Sequence, residues 1–256
     1  MSYSDTIFDL EGKVAIVTGG SRGIGRSIAL GLAEAGADVV ATSRNIESVE
    51  AVTAEIKKSG RRSIAISTDA SSKKDIENVV NKTLEEFGKI DILVNNAGIS
   101  HDFKMAESIT DEDWDLVINL NLRGQFLFCQ EVGKHMRERK YGKIINVVSI
   151  VGQVGFARQI VYAAAKGGFI AITKTLALEW NKYNITVNAL APGFVETDMT
   201  SALKGSRSEE RILRRTAMNR FGKPEEVVGA AIYLASDASS YTNGVVVTVD
   251  GGYLAG

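Results

Sequence analysis

The sequence predicts an α/β fold in which a parallel β-sheet carries helices on both faces, and three observations support this. Short β-branched runs alternate with helical patterns along all 256 residues. Several of these runs are apolar at consecutive positions, which is typical of parallel strands buried on both faces. Repeats, low-complexity tracts and Pro/Gly-rich linkers are absent. We therefore expect one α/β domain over residues 1–256, with helices on both sides of the sheet.

Seven runs have the composition of buried strands. In chain order they cover residues 14–18, 38–43, 63–67, 90–94, 143–149, 185–190 and 245–249. Because helical patterns separate them, the strands are expected to pair in parallel through right-handed crossovers. The expected architecture is a doubly wound parallel sheet of seven strands.

Two helices have clear boundary signals, and one segment has little regular pattern. The first helix is expected over residues 23–35, ended by Gly36, and a long one over residues 111–140, opened by Thr110 as its N-cap. Residues 193–223 follow a strand and show little periodicity. This segment is the natural candidate for a mobile lid over a site at the strand ends.

Composition argues against nucleic-acid or membrane partners. The 30 Lys and Arg residues nearly balance the 31 Asp and Glu residues, giving a net charge of −1, so no basic field is present to attract nucleic acid. One cysteine excludes an internal disulfide and suits a reducing compartment. Residues 1–13 lack the apolar segment of a signal peptide, and no apolar run approaches the roughly 20 residues of a membrane span. We expect a cytoplasmic protein.

Metal chemistry has little support in the sequence. The chain has two histidines, His101 and His135, without a spacing typical of metal ligands. His101 either faces a substrate or is an ordinary loop residue. Cys129 lies in an apolar helical stretch, which favours a core position over a nucleophile. We therefore expect no metal.

A glycine-rich loop connects the first strand to the first helix. Thr18 is followed by the sequence GGSRGIG, with the spacing GxxxGxG. Glycines permit a tight turn and let backbone N–H groups approach a pyrophosphate at a helix N-terminus. The alternative is a strand-to-helix turn without a ligand. The dinucleotide contacts expected in this loop are Gly19, Ser21, Arg22, Gly23, Ile24 and Gly25.

A tyrosine, a lysine and a serine form a candidate catalytic group. Tyr162 and Lys166 are four residues apart in a helical pattern, so they share one helix face. A nearby ammonium, together with an oxidised nicotinamide, is expected to lower the pKa of the tyrosine, which can then exchange a proton with a carbonyl or alcohol. Ser149 ends the fifth predicted strand, where its hydroxyl can bind the substrate oxygen. The alternatives are a surface Tyr/Lys pair and a serine that satisfies backbone groups.

In this order the landmarks resemble the short-chain dehydrogenase/reductase family over essentially the whole chain. They are GxxxGxG, Asp69, Asn95-Asn96-Ala97-Gly98, Asn121, Ser149, Tyr162, Lys166, Pro192-Gly193 and Thr197. The resemblance implies a Rossmann-like fold and an NAD(P)(H)-dependent oxidoreductase that interconverts a secondary alcohol and a ketone. It also implies a homotetramer. Fold alone does not fix function, and a non-catalytic dinucleotide-binding protein is the remaining alternative, although none of the four catalytic positions is lost.

The resemblance assigns roles to individual residues. It gives Asn121, Ser149, Tyr162 and Lys166 as catalytic, with Asn121 holding a water that links Lys166 to solvent. Beyond the glycine loop, the implied cofactor contacts are Ser43, Arg44, Asp69, Ala70, Asn96, Ala97, Gly98, Tyr162, Lys166, Pro192, Gly193, Val195 and Thr197.

The end of the second strand favours NADP(H) over NAD(H). NAD enzymes often place an acid there to bind the ribose 2′-hydroxyl, but here Ser43 occupies that position and Arg44 follows. Arginine suits a 2′-phosphate through paired N–H donors, and Arg22 in the glycine loop points the same way. The alternative is that Arg44 stacks on adenine.

The substrate is less defined by the sequence. Pocket walls are expected from residues 149–161, from the loop after Gly98 and from residues 193–219. The chain resembles both sugar-acid dehydrogenases and 3-oxoacyl-carrier-protein reductases. The basic pair that flanks the site entrance in carrier-protein reductases aligns with Lys140 and Tyr183, and the tyrosine departs from that pattern although Lys182 is adjacent. Arg158 either clamps a substrate carboxylate or is an exposed loop arginine.

Overall fold

The computed structural model describes residues 7–100 and 103–256, so His101 lies outside the described residues. Within them, seven strands form one parallel sheet in the order β3-β2-β1-β4-β5-β6-β7. The strands are β1 (Val14–Thr18), β2 (Asp38–Ser43), β3 (Ser63–Ser67), β4 (Ile92–Asn95), β5 (Gly142–Val147), β6 (Ile185–Pro192) and β7 (Val246–Val249). This confirms the predicted doubly wound sheet.

Helices cover both faces of the sheet. They are α1 (Gly23–Glu34), α2 (Ile46–Lys58), α3 (Lys73–Phe87), α4 (Asp111–Ile118), α5 (Gln125–Arg139), α6 (Ile160–Trp180), α7 (Asp198–Ser201), α8 (Arg207–Arg215) and α9 (Val228–Ala235). One core cluster buries the apolar residues of α3, α5 and α6 against one face. A second buries those of α1, α2 and α9 against the other. Burial of apolar surface on both faces explains why the strands are continuously apolar.

Strand ends differ from the sequence prediction where polar groups take over the pairing. β4 begins at Ile92 rather than residue 90, because the buried Asp91 carboxylate accepts a hydrogen bond from Val14 N and pairs with Arg139. β5 ends at Val147 rather than residue 149. Ser149 is extended and accepts a hydrogen bond from Val151 N, which opens a short 3₁₀ turn. The predicted strand ends were therefore wrong by two residues at these two points.

The long helix predicted over residues 111–140 is interrupted. Thr110 forms the expected N-cap, with a capping box to Asp113. The helix then widens into a π-helical segment, Asn119–Gly124, before α5 continues to Arg139. Single π turns within α-helices are rare and are frequent at functional sites. This one brings Asn121 inward, so that its side chain is fully buried.

The segment predicted to be irregular, residues 193–223, has more structure than its sequence pattern indicates. It contains α7 and α8, and its two ends are joined where Val195 pairs with Gly222. Ile212 and Leu203 bury their side chains against Tyr253 and Val151. The segment therefore has its own packed contacts above the carboxyl ends of the strands.

One helical stretch, residues 160–183, is long and apolar enough to cross a membrane by length and composition alone. The expectation that no apolar run approaches the length of a membrane span was therefore wrong by this test of length and composition. The helix nevertheless packs against the sheet, where Phe169, Leu176 and Trp180 are buried in the core. Its apolar character is explained by this core position.

Candidate active site

The predicted site residues gather at the carboxyl ends of β1, β4, β5 and β6. The strand order reverses between β1 and β4, which leaves a crevice outside their carboxyl ends. Ligands of open α/β sheets bind at such a switch point. The glycine loop follows β1, the motif Asn95–Gly98 follows β4, and Ser149 follows β5. Sequence and topology thus place the candidate cofactor and substrate groups at one edge.

The glycine loop is shaped to hold an anion. Gly19 has a φ of +65°, and a Cβ there would stand 2.9 Å from the Asn96 amide nitrogen. A Cβ on Gly25 would overlap the Gly19 carbonyl oxygen. α1 begins without a side-chain cap, since Arg22 makes no capping hydrogen bond, and its first turn holds no acid. Its first N–H groups can therefore donate hydrogen bonds to a phosphate oxygen, an arrangement that the helix dipole favours.

The motif after β4 is locked to the glycine loop. Thr18 Oγ1 accepts hydrogen bonds from the backbone N–H of Asn96 and of Ala97, both at 2.9 Å. The Asn96 side chain donates to the carbonyl oxygens of Thr18, at 2.9 Å, and Gly19, at 3.2 Å. The two loops that border the crevice are thereby held as one unit. Thr18 was not identified from the sequence, although its position directly before the loop is a signal that could have found it.

The hydroxyl of Tyr162 is buried beside Ser149. Burial raises the pKa of Tyr162 to about 12, and a hydrogen bond from Ser149 acts in the opposite direction. In the chain without a cofactor burial dominates this pKa, and Lys166 Nζ lies 5.8 Å from the centre of the tyrosine ring. The phenol is consequently held in its protonated form, the form that can donate a proton. The lowering expected from this ammonium together with an oxidised nicotinamide stays a prediction.

Lys166 is buried beneath the same site. Its Nζ donates a hydrogen bond to the Val147 carbonyl oxygen at 2.8 Å, and burial lowers its pKa to about 8. A Cβ built on Gly98 would stand 3.7 Å from this Nζ and 3.2 Å from Asn121 Oδ1. Gly98 thus leaves the space in which the lysine and the asparagine approach each other.

Asn121 is held by one residue. Its Oδ1 accepts from Ile99 N at 2.9 Å, and its Nδ2 donates to Ile99 O at 2.6 Å. The side chain therefore fixes the chain after Gly98 instead of projecting free into the site. Gly124 closes the π segment against the Ala70 carbonyl, where a Cβ would overlap.

The groups expected at the adenosine end lie beyond β2 and β3. The Ser43 hydroxyl donates to Asn45 O at 2.7 Å, and Arg44 is exposed at the end of β2. Asp69 Oδ1 accepts from the Ser71 hydroxyl at 2.7 Å and from Ser71 N at 2.9 Å, and these bonds, with the nearby Arg44, lower its pKa. Ala70 is buried. The exposed Arg44 side chain can therefore bind an anion that reaches this end of the crevice.

Arg22 and Asp198 join the glycine loop to α7. Their side chains form an ion pair at 2.8 Å, and both are largely exposed. A Cβ on Gly23, which has a φ of +53°, would stand 3.2 Å from Thr197 Cγ2. Two of the expected cofactor contacts, Arg22 and Thr197, therefore lie where the glycine loop meets the start of α7.

The remaining expected cofactor residues follow β6. Pro192 ends that strand, and Val195 is buried where it pairs with Gly222. A Cβ on Gly193 would stand 2.7 Å from the Asp250 backbone. A side chain at residue 193 would thus displace the C-terminal segment.

An aromatic wall borders the space above Tyr162. The ring centroids of Phe156 and Phe194 are 5.6 Å apart, and those of Phe194 and Tyr253 are 5.4 Å apart. Phe103 extends the row, with its centroid 6.3 Å from that of Phe156. Phe156, Phe194 and Tyr253 share one apolar cluster with Tyr162. The predicted pocket walls after Ser149 and after Gly193 are therefore in contact.

Arg158 and Gln159 precede Tyr162 in this wall and differ in exposure. Arg158 is exposed and has a φ of +67°, a left-handed conformation that is uncommon for arginine. Gln159 is only 4 % exposed, and its Oε1 accepts a hydrogen bond from the Ser100 hydroxyl at 2.8 Å.

The pair aligned with the carrier-protein contacts lies elsewhere. Lys140 precedes β5 and Tyr183 precedes β6, whereas Ser149 follows the opposite end of β5. Six residues of strand separate these ends by about 20 Å. Within one protomer, Lys140 and Tyr183 therefore do not flank the site entrance, contrary to expectation. Arg137 and Lys182 both lie against the Tyr183 ring, which makes that surface basic.

Neither a metal nor a reactive thiol is favoured. Residues 7–100 and 103–256 contain no group of three or more His, Cys, Asp or Glu side chains able to hold a metal ion. Cys129 is buried, and its pKa is raised to about 12 by burial. Its Sγ receives a hydrogen bond from Asn95 at 3.2 Å, as part of a core network in which Asn95 also donates to Asn146. This cysteine has a packing role.

Comparisons with known proteins agree with this site. A family model described as enoyl-(acyl carrier protein) reductase matches residues 19–254. The 2-dehydro-3-deoxy-D-gluconate 5-dehydrogenase of Escherichia coli is 42% identical over 253 residues, covering 97% of this chain and 98% of that protein. The 3-oxoacyl-(acyl-carrier-protein) reductase of Thermotoga maritima is 43% identical over 243 residues, covering 95% and 98%.

A solved structure is also similar to this chain over its full length. The gluconate 5-dehydrogenase of Burkholderia cenocepacia, crystallised with NADP and tartrate, has a TM-score of 0.95 and 35% identity. The match covers 99% of this chain and 100% of that structure. The similarity therefore includes every element that borders the crevice.

Proposed function

The chain belongs to the short-chain dehydrogenase/reductase family of oxidoreductases, and we propose that it interconverts a sugar acid or another small hydroxy compound with the corresponding ketone, using NADP(H). One observation carries the chemistry: Ser149, Tyr162 and Lys166 lie together at the carboxyl edge of the sheet, next to a glycine loop built for an anion. The catalytic residues we propose are these three and Asn121.

The residues around the crevice fit a dinucleotide. The uncapped start of α1 and the side-chain-free surface at Gly19 and Gly25 suit a pyrophosphate. Lys166 and the segment after Pro192 then border the nicotinamide end. When bound, the reduced nicotinamide supplies a hydride to a carbonyl carbon.

The chain's own groups supply the rest of the chemistry. The Ser149 hydroxyl binds the substrate oxygen and stabilises its developing negative charge. Tyr162 Oη gives its proton to that oxygen as the carbon–oxygen double bond becomes a single bond, and it takes the proton back in the oxidation direction. The Lys166 ammonium stabilises the phenolate left on Tyr162. Asn121 supports this arrangement by holding the Ile99 backbone beside Gly98.

The Tyr162→Phe variant tests the proposed chemistry. It keeps the ring and removes the proton donor, so kcat should fall by about 10²–10⁴-fold, the usual contribution of a general acid. The Kd for NADPH, measured by its fluorescence, should change little. Turnover close to that of the wild type would exclude Tyr162 as the donor.

We propose NADP(H) as the preferred cofactor because β2 ends at Ser43 and is followed by Arg44, with no acid at either position. The double variant Ser43→Asp, Arg44→Ala should shift the kcat/KM ratio from NADPH towards NADH, since the carboxylate repels a 2′-phosphate and accepts from a 2′-hydroxyl. Arg62→Ala, at the far end of β3, is the control. A wild-type enzyme that already prefers NADH would contradict this proposal.

Arg158 supports an acidic substrate. Its left-handed backbone fixes it in the loop between Ser149 and Tyr162, where a guanidinium can hold a carboxylate. Arg158→Asn, a residue that also tolerates this backbone, should raise KM for 5-keto-D-gluconate and leave a neutral ketone unaffected. Equal effects on both substrates would remove Arg158 from the site.

A second candidate is a 3-oxoacyl thioester, because relatives with that activity are as similar to the chain as the sugar-acid enzymes. The apolar wall of Phe156, Phe194 and Tyr253 suits an acyl chain. Side-by-side reduction of 5-keto-D-gluconate and an acetoacetyl thioester with NADPH decides between the candidates.

We further propose that the protein is cytoplasmic, that it assembles as a homotetramer, and that residues 193–223 act as a lid over the bound substrate. The single buried cysteine, which suits a reducing compartment, supports the cytoplasmic location. The lid proposal is supported by the position of α7 and α8 above the carboxyl ends of the strands.

A further inference from the structure

The side chain of Gln159 is buried with one polar atom unpaired. Oε1 accepts the hydrogen bond from Ser100 Oγ at 2.8 Å. Nε2 has no hydrogen-bond partner among the described residues, although it is shielded from solvent. The side chain as a whole is 4 % exposed. Half of this amide is therefore held in place while the other half is left without a partner.

An unpaired buried N–H donor is uncommon in native proteins and costs stability. Within residues 7–100 and 103–256, five buried side-chain atoms lack a partner. Four are oxygen atoms, belonging to Asn95, Gln125, Tyr141 and Thr186. Gln159 Nε2 is the only one that can act solely as a donor. A donor of this kind next to a site implies an acceptor that arrives with a ligand.

Gln159 and its partner Ser100 both lie close in the chain to proposed active-site residues. The residue is the N-cap of α6, three positions before Tyr162, so the two Cβ atoms are about 5–6 Å apart on one helix face. Ser100, which holds Oε1, comes two residues after Gly98. A Cβ on Gly98 would stand 3.7 Å from Lys166 Nζ and 3.2 Å from Asn121 Oδ1. The unpaired amide is therefore placed one helical turn from the group that protonates the substrate.

We propose that Gln159 Nε2 donates a hydrogen bond to a second oxygen of the substrate, separate from the oxygen bound by Ser149 and Tyr162. This inference rests on the proposed oxidoreductase function. It defines the substrate class as ketones or alcohols with an oxygen acceptor within a few bonds of the reacting carbon, such as 3-oxo esters and thioesters, hydroxy ketones and keto acids. Plain ketones leave the donor unpaired and are poor substrates.

The test compares two ketones of equal size with NADPH. Ethyl acetoacetate has a second carbonyl near the reacting one, and 2-octanone lacks it. The wild type should prefer ethyl acetoacetate. In Gln159→Met, which keeps the volume and removes the amide, kcat/KM for ethyl acetoacetate should fall by about tenfold or more, while that for 2-octanone stays within about twofold. Gln130→Met, an exposed position on α5, is the matched control and should match the wild type.

The Gln159→Glu variant establishes which atom acts. It preserves an oxygen for Ser100 and replaces the donor with a second acceptor. It should therefore lose as much activity with ethyl acetoacetate as Gln159→Met. Retained activity would mean that the amide is turned the other way and that Nε2 is not the donor. NADPH affinity, measured in each variant, reports that the cofactor site is intact.

The outcomes separate this inference from the proposed function. If the wild type reduces these ketones and Gln159→Met lowers both rates equally, or neither, the inference is wrong and the proposed function stands. If the wild type reduces neither these ketones, nor 5-keto-D-gluconate, nor an acetoacetyl thioester, the proposed function is wrong and the inference is wrong with it.

Discussion

Lys166 shows how burial sets the chemistry of a single residue. An ammonium is normally charged well above neutral pH, but loss of solvent lowers the pKa of Lys166 to about 8. The same burial raises the pKa of Tyr162 to about 12. Over the range between these values the tyrosine keeps its proton while the lysine loses its charge. The lysine, and not the tyrosine, is therefore the group that titrates near physiological pH.

This pattern predicts the pH dependence of ketone reduction. As pH rises through about 8, Lys166 loses its proton and can no longer stabilise the phenolate, so kcat should fall by up to tenfold per pH unit. Deprotonation of Tyr162 should not add to this fall in kcat below pH 10. Steady-state rates at saturating NADPH, from pH 6 to 10, measure this.

The Lys166→Arg variant is the control, because a guanidinium stays charged throughout this range. It should be slower overall and lack the alkaline decline. A wild-type rate that is flat from pH 7 to 10, or a decline that persists in the variant, would contradict the assignment.

Single residues also mark where sequence reasoning stops. Tyr162, Lys166 and Ser149 could be found because their spacing and strand context carry the information. Gln159 could be placed in a pocket wall, but its unpaired Nε2 depends on Ser100, 59 positions away in the chain. Lys166 likewise bonds a backbone carbonyl, that of Val147, which no residue type reveals.

At the scale of elements, the strands were predictable because all-apolar runs leave few alternatives. The π-helical segment Asn119–Gly124 was not, because its causes are contacts with distant elements. Asn121 bonds Ile99 at 2.6 and 2.9 Å, and Gly124 lies against the Ala70 carbonyl. The local composition predicts only an ordinary α-helix that contains an asparagine, a residue of low helix propensity. The bulge is therefore a tertiary feature, imposed by the site it serves.

The Gly124→Ala variant tests that dependence. Its Cβ would overlap the Ala70 carbonyl oxygen, so the π segment must move and Asn121 with it. We expect the free energy of unfolding to fall by about 1–3 kcal/mol, as in overpacked cores. We also expect kcat/KM to fall. Urea unfolding and steady-state kinetics measure the two effects.

Gly229→Ala is the matched control. This glycine lies on the exposed face of α9 with nothing within 4 Å of a Cβ. Alanine there should be neutral or stabilising by up to about 1 kcal/mol, because it restricts the unfolded chain. Equal behaviour of the two variants would show that Gly124 has no packing constraint.

The Arg22–Asp198 pair connects two elements across the crevice, the glycine loop and α7. An exposed ion pair contributes about 1 kcal/mol or less, so it adds little to holding α7 against the glycine loop. It does compete with any phosphate for Arg22. Asp198→Asn should therefore lower the Kd for NADPH by about two- to fivefold, with a smaller change for NADH.

Arg26 and Glu55 offer a control for that prediction. They form an ion pair at 2.6 Å between α1 and α2. Glu55→Gln removes an acid of similar exposure and should leave both cofactor affinities unchanged. Titration of NADPH fluorescence at constant ionic strength gives the values. Tighter binding in both variants would indicate a general charge effect and not release of Arg22.

At the scale of the whole molecule, one surface has more apolar exposure than a single chain explains. β7 is an edge strand of the sheet. Beside it, Leu178 on α6 is 84% exposed, and Tyr241 and Val245 are exposed as well. Asn243 donates to Ala177 O at 3.0 Å, which holds the segment around Tyr241 against α6. An exposed edge strand and an adjoining apolar patch are features that native proteins usually cover.

A symmetric tetramer would cover this patch with the same surface of a second subunit, because closed assemblies use self-complementary interfaces. We therefore expect the wild type to have four times the mass of one chain in light scattering. Leu178→Asp places a charge at the centre of the patch and should yield smaller species at micromolar concentration. Ile46→Asp, at an exposed position on α2, should remain tetrameric. A wild-type protein that stays monomeric at all concentrations would exclude this interface, whereas dissociation of both variants would place the contact elsewhere on the molecule.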